Sequence, residues 1–280
     1  MLLDSAGATP LNRGSEIGQQ SVTTQQDPNR IAAKQAFQEG LKLFQQGTTE
    51  SLRKAIAKFQ EALQVWQQLK DQPKQALALS SIGNVYSSLG DKQKALEYYN
   101  QALLLKGAVD NKSWEATTLT AIGKVYSDLG YKQKALAYFN QALALKHAVG
   151  DKSAEATTLT SIGLVYSDLG DEQKALTYYN QALPLREAVG DRSGEGTTLN
   201  NIGGVYSDLG DKQKALAYYK QALPLKHAVG DKSGEAATLN NIGTAYSDLG
   251  CKQKALAYYK QALPLRRVVD DRFGEATTRI

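Results

Sequence analysis

The chain has one cysteine, one methionine, two histidines and two tryptophans in 280 residues, and nowhere the run of about eighteen apolar residues that spans a bilayer. Each scarcity excludes something. A single thiol, Cys251, cannot form a disulfide within the chain, and two histidines with one cysteine cannot complete a tetrahedral zinc site. The sequence therefore predicts no metal and no cofactor. The start, Met1-Leu2-Leu3-Asp4, lacks the cationic and apolar regions of a secretory signal, which together with the missing span places the chain in the cytoplasm. Charge of one sign is scarce as well. The 33 basic and 28 acidic side chains leave a net +5, far from the dense basic stripe of a nucleic-acid binder.

Tyrosine is abundant by contrast, fifteen residues against five phenylalanines, the skew left by a short unit copied many times. Ile82-Gly83, Ile122-Gly123, Ile162-Gly163, Ile202-Gly203 and Ile242-Gly243 recur every forty residues without an insertion. Tyr86, Tyr126, Tyr166, Tyr206 and Tyr246 follow at one offset, then Gly90, Gly130, Gly170, Gly210 and Gly250 at another. A period of this length signals stacked modules in place of one closed core.

Each module reads as two helices. Leu119, Ile122, Tyr126 and Leu129 share one face of the first, and Gly130 supplies the left-handed residue that ends it. An aspartate such as Asp171 then caps the second, which carries Ala175, Leu176, Tyr179, Ala182 and Leu183 at helical spacing. Gly163 inside the first helix costs about 1 kcal/mol against alanine, a penalty that close approach of a neighbouring backbone would offset. Pro184, Pro224 and Pro264 lie deep in second helices, where Leu104 and Ala144 stand in earlier copies. They predict a kink and a change of second-helix geometry between the two halves of the array.

The sequence divides into a flexible polar leader, residues 1–32, and an array over 33–280. Its hairpins run at about 33–72, 73–112, 113–152, 153–192, 193–232 and 233–272, the first of them degenerate, with Gly40, Ala55, Phe59 and Ala62 in register after an insertion at Thr48-Thr49-Glu50. Residues 273–280 open a truncated seventh unit. No hairpin can bury its own apolar stripe, so stacking gives an all-α, right-handed superhelical solenoid. An uncapped apolar face around Tyr259 and Leu263 then predicts self-association or fraying at that end.

These residues resemble the tetratricopeptide repeat (TPR) family, whose helix-turn-helix unit has a small residue in the first helix, a tyrosine three later, a glycine at the turn and alanines in the second helix. The forty-residue variant is similar to the repeats of kinesin light chain and of Pins-type polarity adaptors, and to cyanobacterial TPR proteins that carry a caspase-like CHAT protease domain after the array. The resemblance implies a non-catalytic peptide- or protein-binding scaffold that uses a concave groove lined by first helices. The alternative is a regulatory arm of a larger effector with a downstream enzyme such as a CHAT-type protease.

On that reading the groove positions include Asn84 and Lys124, and the Thr-Leu-Asn-Asn pattern at Asn200-Asn201 and Asn240-Asn241 matches the asparagines with which family members hold an extended peptide. An amide both donates and accepts, so it pairs with a peptide unit whatever the side chain; the alternative is that these amides bond to each other or to water. Asp128, Asp168, Asp208 and Asp248 form a ladder before each turn. Carboxylates at the negative end of a helix need a compensating cation, either a basic peptide or a lysine of the neighbouring helix. Lys212, Lys214, Lys220, Lys226 and Lys232 read as an outer, solubilising surface. The Tyr98-Tyr99 pair and its copies could stack nucleic-acid bases, but at this spacing one ring of each pair belongs to the core. Cys251 stands where a cap aspartate is found elsewhere, and His147 and His227 have no neighbouring carboxylate and nucleophile to suggest a triad.

Overall fold

A computed structural model describes residues 28–269 together with 271, 274, 275 and 278. Among these there are thirteen helices and no strand. The first hairpin is α1 (Pro28–Gln46) and α2 (Thr49–Gln68). The second is α3 (Gln72–Ser88) and α4 (Lys92–Leu104), followed by the single turn α5 (Lys106–Val109). Then come α6 (Lys112–Asp128) with α7 (Lys132–Ala148), α8 (Lys152–Asp168) with α9 (Glu172–Val189), α10 (Arg192–Asp208) with α11 (Lys212–Ala228), and α12 (Lys232–Asp248) with α13 (Lys252–Val268). The hairpins stack into a right-handed superhelical solenoid.

The chain enters this array earlier than its composition suggests. Residues 28–32, assigned above to the polar leader, are the first turn of α1. Proline suits that turn, because its φ is already helical and its missing N–H has no partner to lose there. The rest of the leader, residues 1–27, lies outside the described residues, as do several residues of 273–280.

Most turns follow one recipe, with Lys70 and Asp110 taking the place of the left-handed glycine after α2 and α5. Gly170 takes φ +72° and ends α8, its N–H bonding to Ser167 O at 3.0 Å while the N–H of Asp171 reaches back to Tyr166 O at 2.9 Å. Asp171 then accepts the N–H of Lys174 at 3.1 Å and starts α9. Tyr131 and Cys251 occupy the same cap position without a side-chain capping bond.

The core lies between hairpins as much as within them. Ala135, Leu136 and Phe139 of α7 form one buried cluster with Ile162 and Val165 of α8, and Ala175, Leu176 and Tyr179 of α9 repeat it with Ile202 and Val205 of α10. A single hairpin exposes half of such a cluster, so each unit depends on the next.

Four expectations are corrected here. The glycine inside each first helix makes room for a ring, not for a neighbouring backbone: a Cβ on Gly163 would stand 2.6 Å from Cε1 of Tyr179, in its own hairpin. Leu129 is exposed, because α6 has ended before it. Helices α9, α11 and α13 run unbroken through Pro184, Pro224 and Pro264, whereas the interrupted second helix is α4, which contains no proline. Tyr259 is buried against Gly243, and the apolar side chains open to solvent on α13 include Val268 and Leu256, the latter 44% exposed where Leu216 is 4%.

Candidate functional site

Successive first helices touch one another as well as their own partners, α8 on α10 and α10 on α12. They are tied by side-chain bonds at matching positions: Thr160 to Thr198 at 3.3 Å, Thr238 to Asn200 at 3.1 Å, and Thr278 to Asn240 at 3.2 Å. These contacts run along one side of the stack, where the first helices form a continuous wall.

The amides on that wall are not equivalent. Oδ1 of Asn200 accepts from both Thr238 Oγ1 and Asn241 Nδ2, the latter at 3.2 Å, and Oδ1 of Asn240 accepts from Thr278. These two oxygens join neighbouring units. Asn241 spends one of its two N–H donors, and Asn201, half-buried, makes no side-chain hydrogen bond among the described residues. Asn84 is exposed on α3 and accepts the hydroxyl proton of the buried Tyr99 at 2.6 Å. Lys124 is exposed on α6.

The aspartate ladder is mostly neutralised from within. Lys92 pairs with Asp128 at 2.7 Å, Lys132 with Asp168, and Lys212 with Asp248 at 2.8 Å, each lysine at the start of the preceding second helix. Asp208 makes no ion pair among the described residues, because Glu172 occupies the position of Lys132 and Lys212.

The tyrosine pairs also divide their labour. Tyr179 is buried, whereas Tyr178 is half-buried and stacks on Tyr166 at 5.5 Å between centroids. Lys174 lies over that Tyr166 ring at 5.1 Å, and Lys214 over Tyr206 likewise. With a partner ring and an ammonium against it, the ring is already engaged within the protein and is no open platform for a base.

Sequence reasoning missed a row of buried cations. Lys146, Arg186, Lys226 and Arg266, near the ends of second helices, are 5%, 6%, 6% and 9% exposed, so Lys226 is not part of an outer surface. Arg186 pairs with Asp191, Lys226 with Asp231 at 2.9 Å, and Arg266 with Asp271 at 2.6 Å. The signal was present as a cation followed five residues later by an aspartate and, in these three units, eight residues later by Gly194, Gly234 or Gly274. Those glycines supply the space: a Cβ on Gly194 would fall 1.8 Å from Nη1 of Arg186. His147 and His227 lie outside this row, exposed, and meet Glu155 and Glu235 at 3.0 and 2.9 Å. Among the described residues no cluster of histidine, cysteine and carboxylate side chains could hold a metal ion, and no helix is long and apolar enough to cross a membrane.

Comparison with known proteins places this architecture. None of the curated proteins compared with the chain matches it. Solved structures similar in fold include a Rap protein complexed with competence and sporulation factor, 16% identical over 89% of this chain and 73% of that one with a TM-score of 0.64. A STAND protein with a tetratricopeptide repeat sensor from Pyrococcus horikoshii is 17% identical over 89% and 42% of the two chains, with a TM-score of 0.67. A putative kinesin light chain from Podosopora anserina with nearly identical TPR-like repeats is 14% identical over 71% and 98%, with a TM-score of 0.58. The family model for the tetratricopeptide repeat matches residues 48–106, 114–188, 154–228 and 195–268, well over half of the sequence. The chain belongs to the tetratricopeptide repeat family.

Proposed function

We propose that the array is a non-catalytic protein-binding scaffold that holds an extended polypeptide segment along its concave wall. The observation that carries this reading is the unspent amide chemistry at Asn201 and Asn241, which lie at the same position of successive units. A donor and acceptor at that position can pair with successive peptide groups of a ligand. Each bond nets only about 0.5–1.5 kcal/mol, so several must act together. Asp208 adds an unpaired carboxylate where a basic residue of the segment can be taken, and Asn84 and Lys124 extend the wall toward its other end. The similarly folded Rap protein, solved with competence and sporulation factor, supports a binding role for a solenoid of this shape. The STAND protein supports a second reading, in which the array is the sensor arm of a larger effector.

Peptides selected from a random library on the wild-type protein test the groove. The doubly substituted variant Asn201→Ala, Asn241→Ala should keep its helix content and bind them about tenfold more weakly, the size of one or two lost hydrogen bonds. Equal affinity, or a library that yields no binder, would sink the reading. Titration with generic DNA and RNA at two ionic strengths addresses the rival class, whose signature is affinity that collapses with salt.

A further inference from the structure

The four buried cations share a sequence position but not a charge partner. Arg186, Lys226 and Arg266 each reach the aspartate that caps the following first helix. Lys146 makes no ion pair among the described residues. Its Nζ donates to Thr120 Oγ1 at 2.9 Å and Thr158 Oγ1 at 2.8 Å, and its third hydrogen has no acceptor among the described residues. Both hydroxyls in turn donate to backbone carbonyls, Thr120 to Ala116 and Thr158 to Ala154, so they offer the ammonium dipoles but no negative charge.

The cause is one methyl group. Where Arg186, Lys226 and Arg266 pair, the third residue after the aspartate is Gly194, Gly234 or Gly274, and the cation or its aspartate fills the space of the absent Cβ. In the Lys146 unit that residue is Ala154. The preceding unit differs at two positions, with Trp114 in place of the glycine and Asn111 in place of the aspartate; there Lys106 is exposed and pairs with Glu115, while the indole bonds to Ser80 at 3.3 Å. Among the units that keep the aspartate, alanine thus accompanies an unpaired cation and glycine a paired one.

Lys146 borders a cavity of about 430 Å³ on the first-helix wall, shared with Thr117, Ala121, Lys124, Asp151 and Thr157. Two cations and one aspartate border it, a formal excess of one positive charge, and the rest of the surface open to the cavity is mostly carbon. We propose that this cavity is a subsite for an oxyanion, a carboxylate or a phosphate monoester carried by the bound segment, held by Lys146 from below and Lys124 from the rim. The proposal rests on the groove reading and adds to it the charge of one ligand group. Burial holds the Lys146 ammonium below its ordinary range, with the charge of Asp151 opposing; an oxyanion would supply the countercharge that the glycine-bearing units obtain from their own aspartate.

Protein labelled with carbon-13 at the lysine Cε, titrated with acetate and separately with inorganic phosphate at constant ionic strength, tests the subsite without a peptide. The Lys146 signal, assigned by its loss in Lys146→Met, should shift and saturate. Ala154→Gly, which frees Lys146 to join Asp151 with every charge retained, should weaken that binding at least about tenfold, since a ligand must now displace an internal ion pair. A signal that does not saturate with either anion, or equal binding by Ala154→Gly, would overturn the subsite. Peptides bearing glutamate, glutamine or phosphoserine at one position then separate the sources. Preference for glutamate over glutamine supports the carboxylate and preference for phosphoserine the phosphate. Equal binding of all three would leave the groove standing and refute its anion subsite.

Discussion

Gly203 and Gly204 are neighbours in α10 with opposite prospects. A Cβ on Gly203 would meet Cδ1 and Cε1 of Tyr219 at 2.6 Å, and that ring is 4% exposed with no room to retreat, whereas on Gly204 the nearest atom is the Tyr219 hydroxyl at 3.9 Å. Alanine gains up to about 1 kcal/mol over glycine in a helix interior, and overpacking a filled core costs about 1–3 kcal/mol. Gly203→Ala should therefore destabilise the protein and Gly204→Ala stabilise it, read as opposite shifts of the urea unfolding midpoint. A stabilising Gly203→Ala would show that the ring is free to move. The recurrence of Ile-Gly marks this glycine in the sequence. Its reason is less visible, because the ring it admits comes from the other helix of the hairpin.

At the level of elements, α13 and α11 are near copies with different surroundings. Leu216 packs among Ile242 and Ala245 of the following first helix and is 4% exposed, while Leu256 at the same position is 44% exposed. Truncating a buried leucine costs about 2–5 kcal/mol, so Leu216→Ala should lower the stability of the array by that order and Leu256→Ala by well under about 1 kcal/mol. Equal losses at the two sites would mean that α13 is covered in solution. The contrast also shows what a single unit can report of its own structure. Helix bounds, turns and the left-handed glycines were legible, since glycine at the turn and aspartate after it act through local backbone chemistry. Contacts between copies were not. Asn200 and Asn240 have identical local sequence, and their oxygens are spent on Thr238 and Thr278 of the next unit. The break after α4 is of this kind too: it accompanies Trp114, which lies beyond the helix it interrupts, and not the prolines on which local reasoning fixes.

For the whole molecule, repetition makes a titration collective. The phenols of Tyr99 and Tyr179 are pushed above their ordinary value of 10.0 by burial, with the charge of Asp168 adding to the effect on Tyr179. Tyr219 is pushed up to about 12 by burial and then by the charge of Asp208, with a bond to Ser207 opposing. These rings sit at one position of successive units, each sealing the contact between its hairpin and the next. Below pH 10 folded and unfolded chains both hold the proton, and the contribution of each ring to stability is complete. Above it the unfolded chain releases protons that the folded chain retains, so stability falls with rising pH until the folded-state value near 12 is passed. Because every unit shares its core with its neighbours, ionising one ring weakens two interfaces, and loss of helix should coincide with the appearance of tyrosinate from the buried rings. Tyr219→Phe removes one ionisable group while keeping the ring against Gly203, so its thermal midpoint should fall less steeply than that of the wild type between pH 10 and about 12. Parallel circular dichroism and tyrosinate absorbance measure both quantities in one titration, and buried tyrosinate forming while the helices remain intact would contradict the coupling.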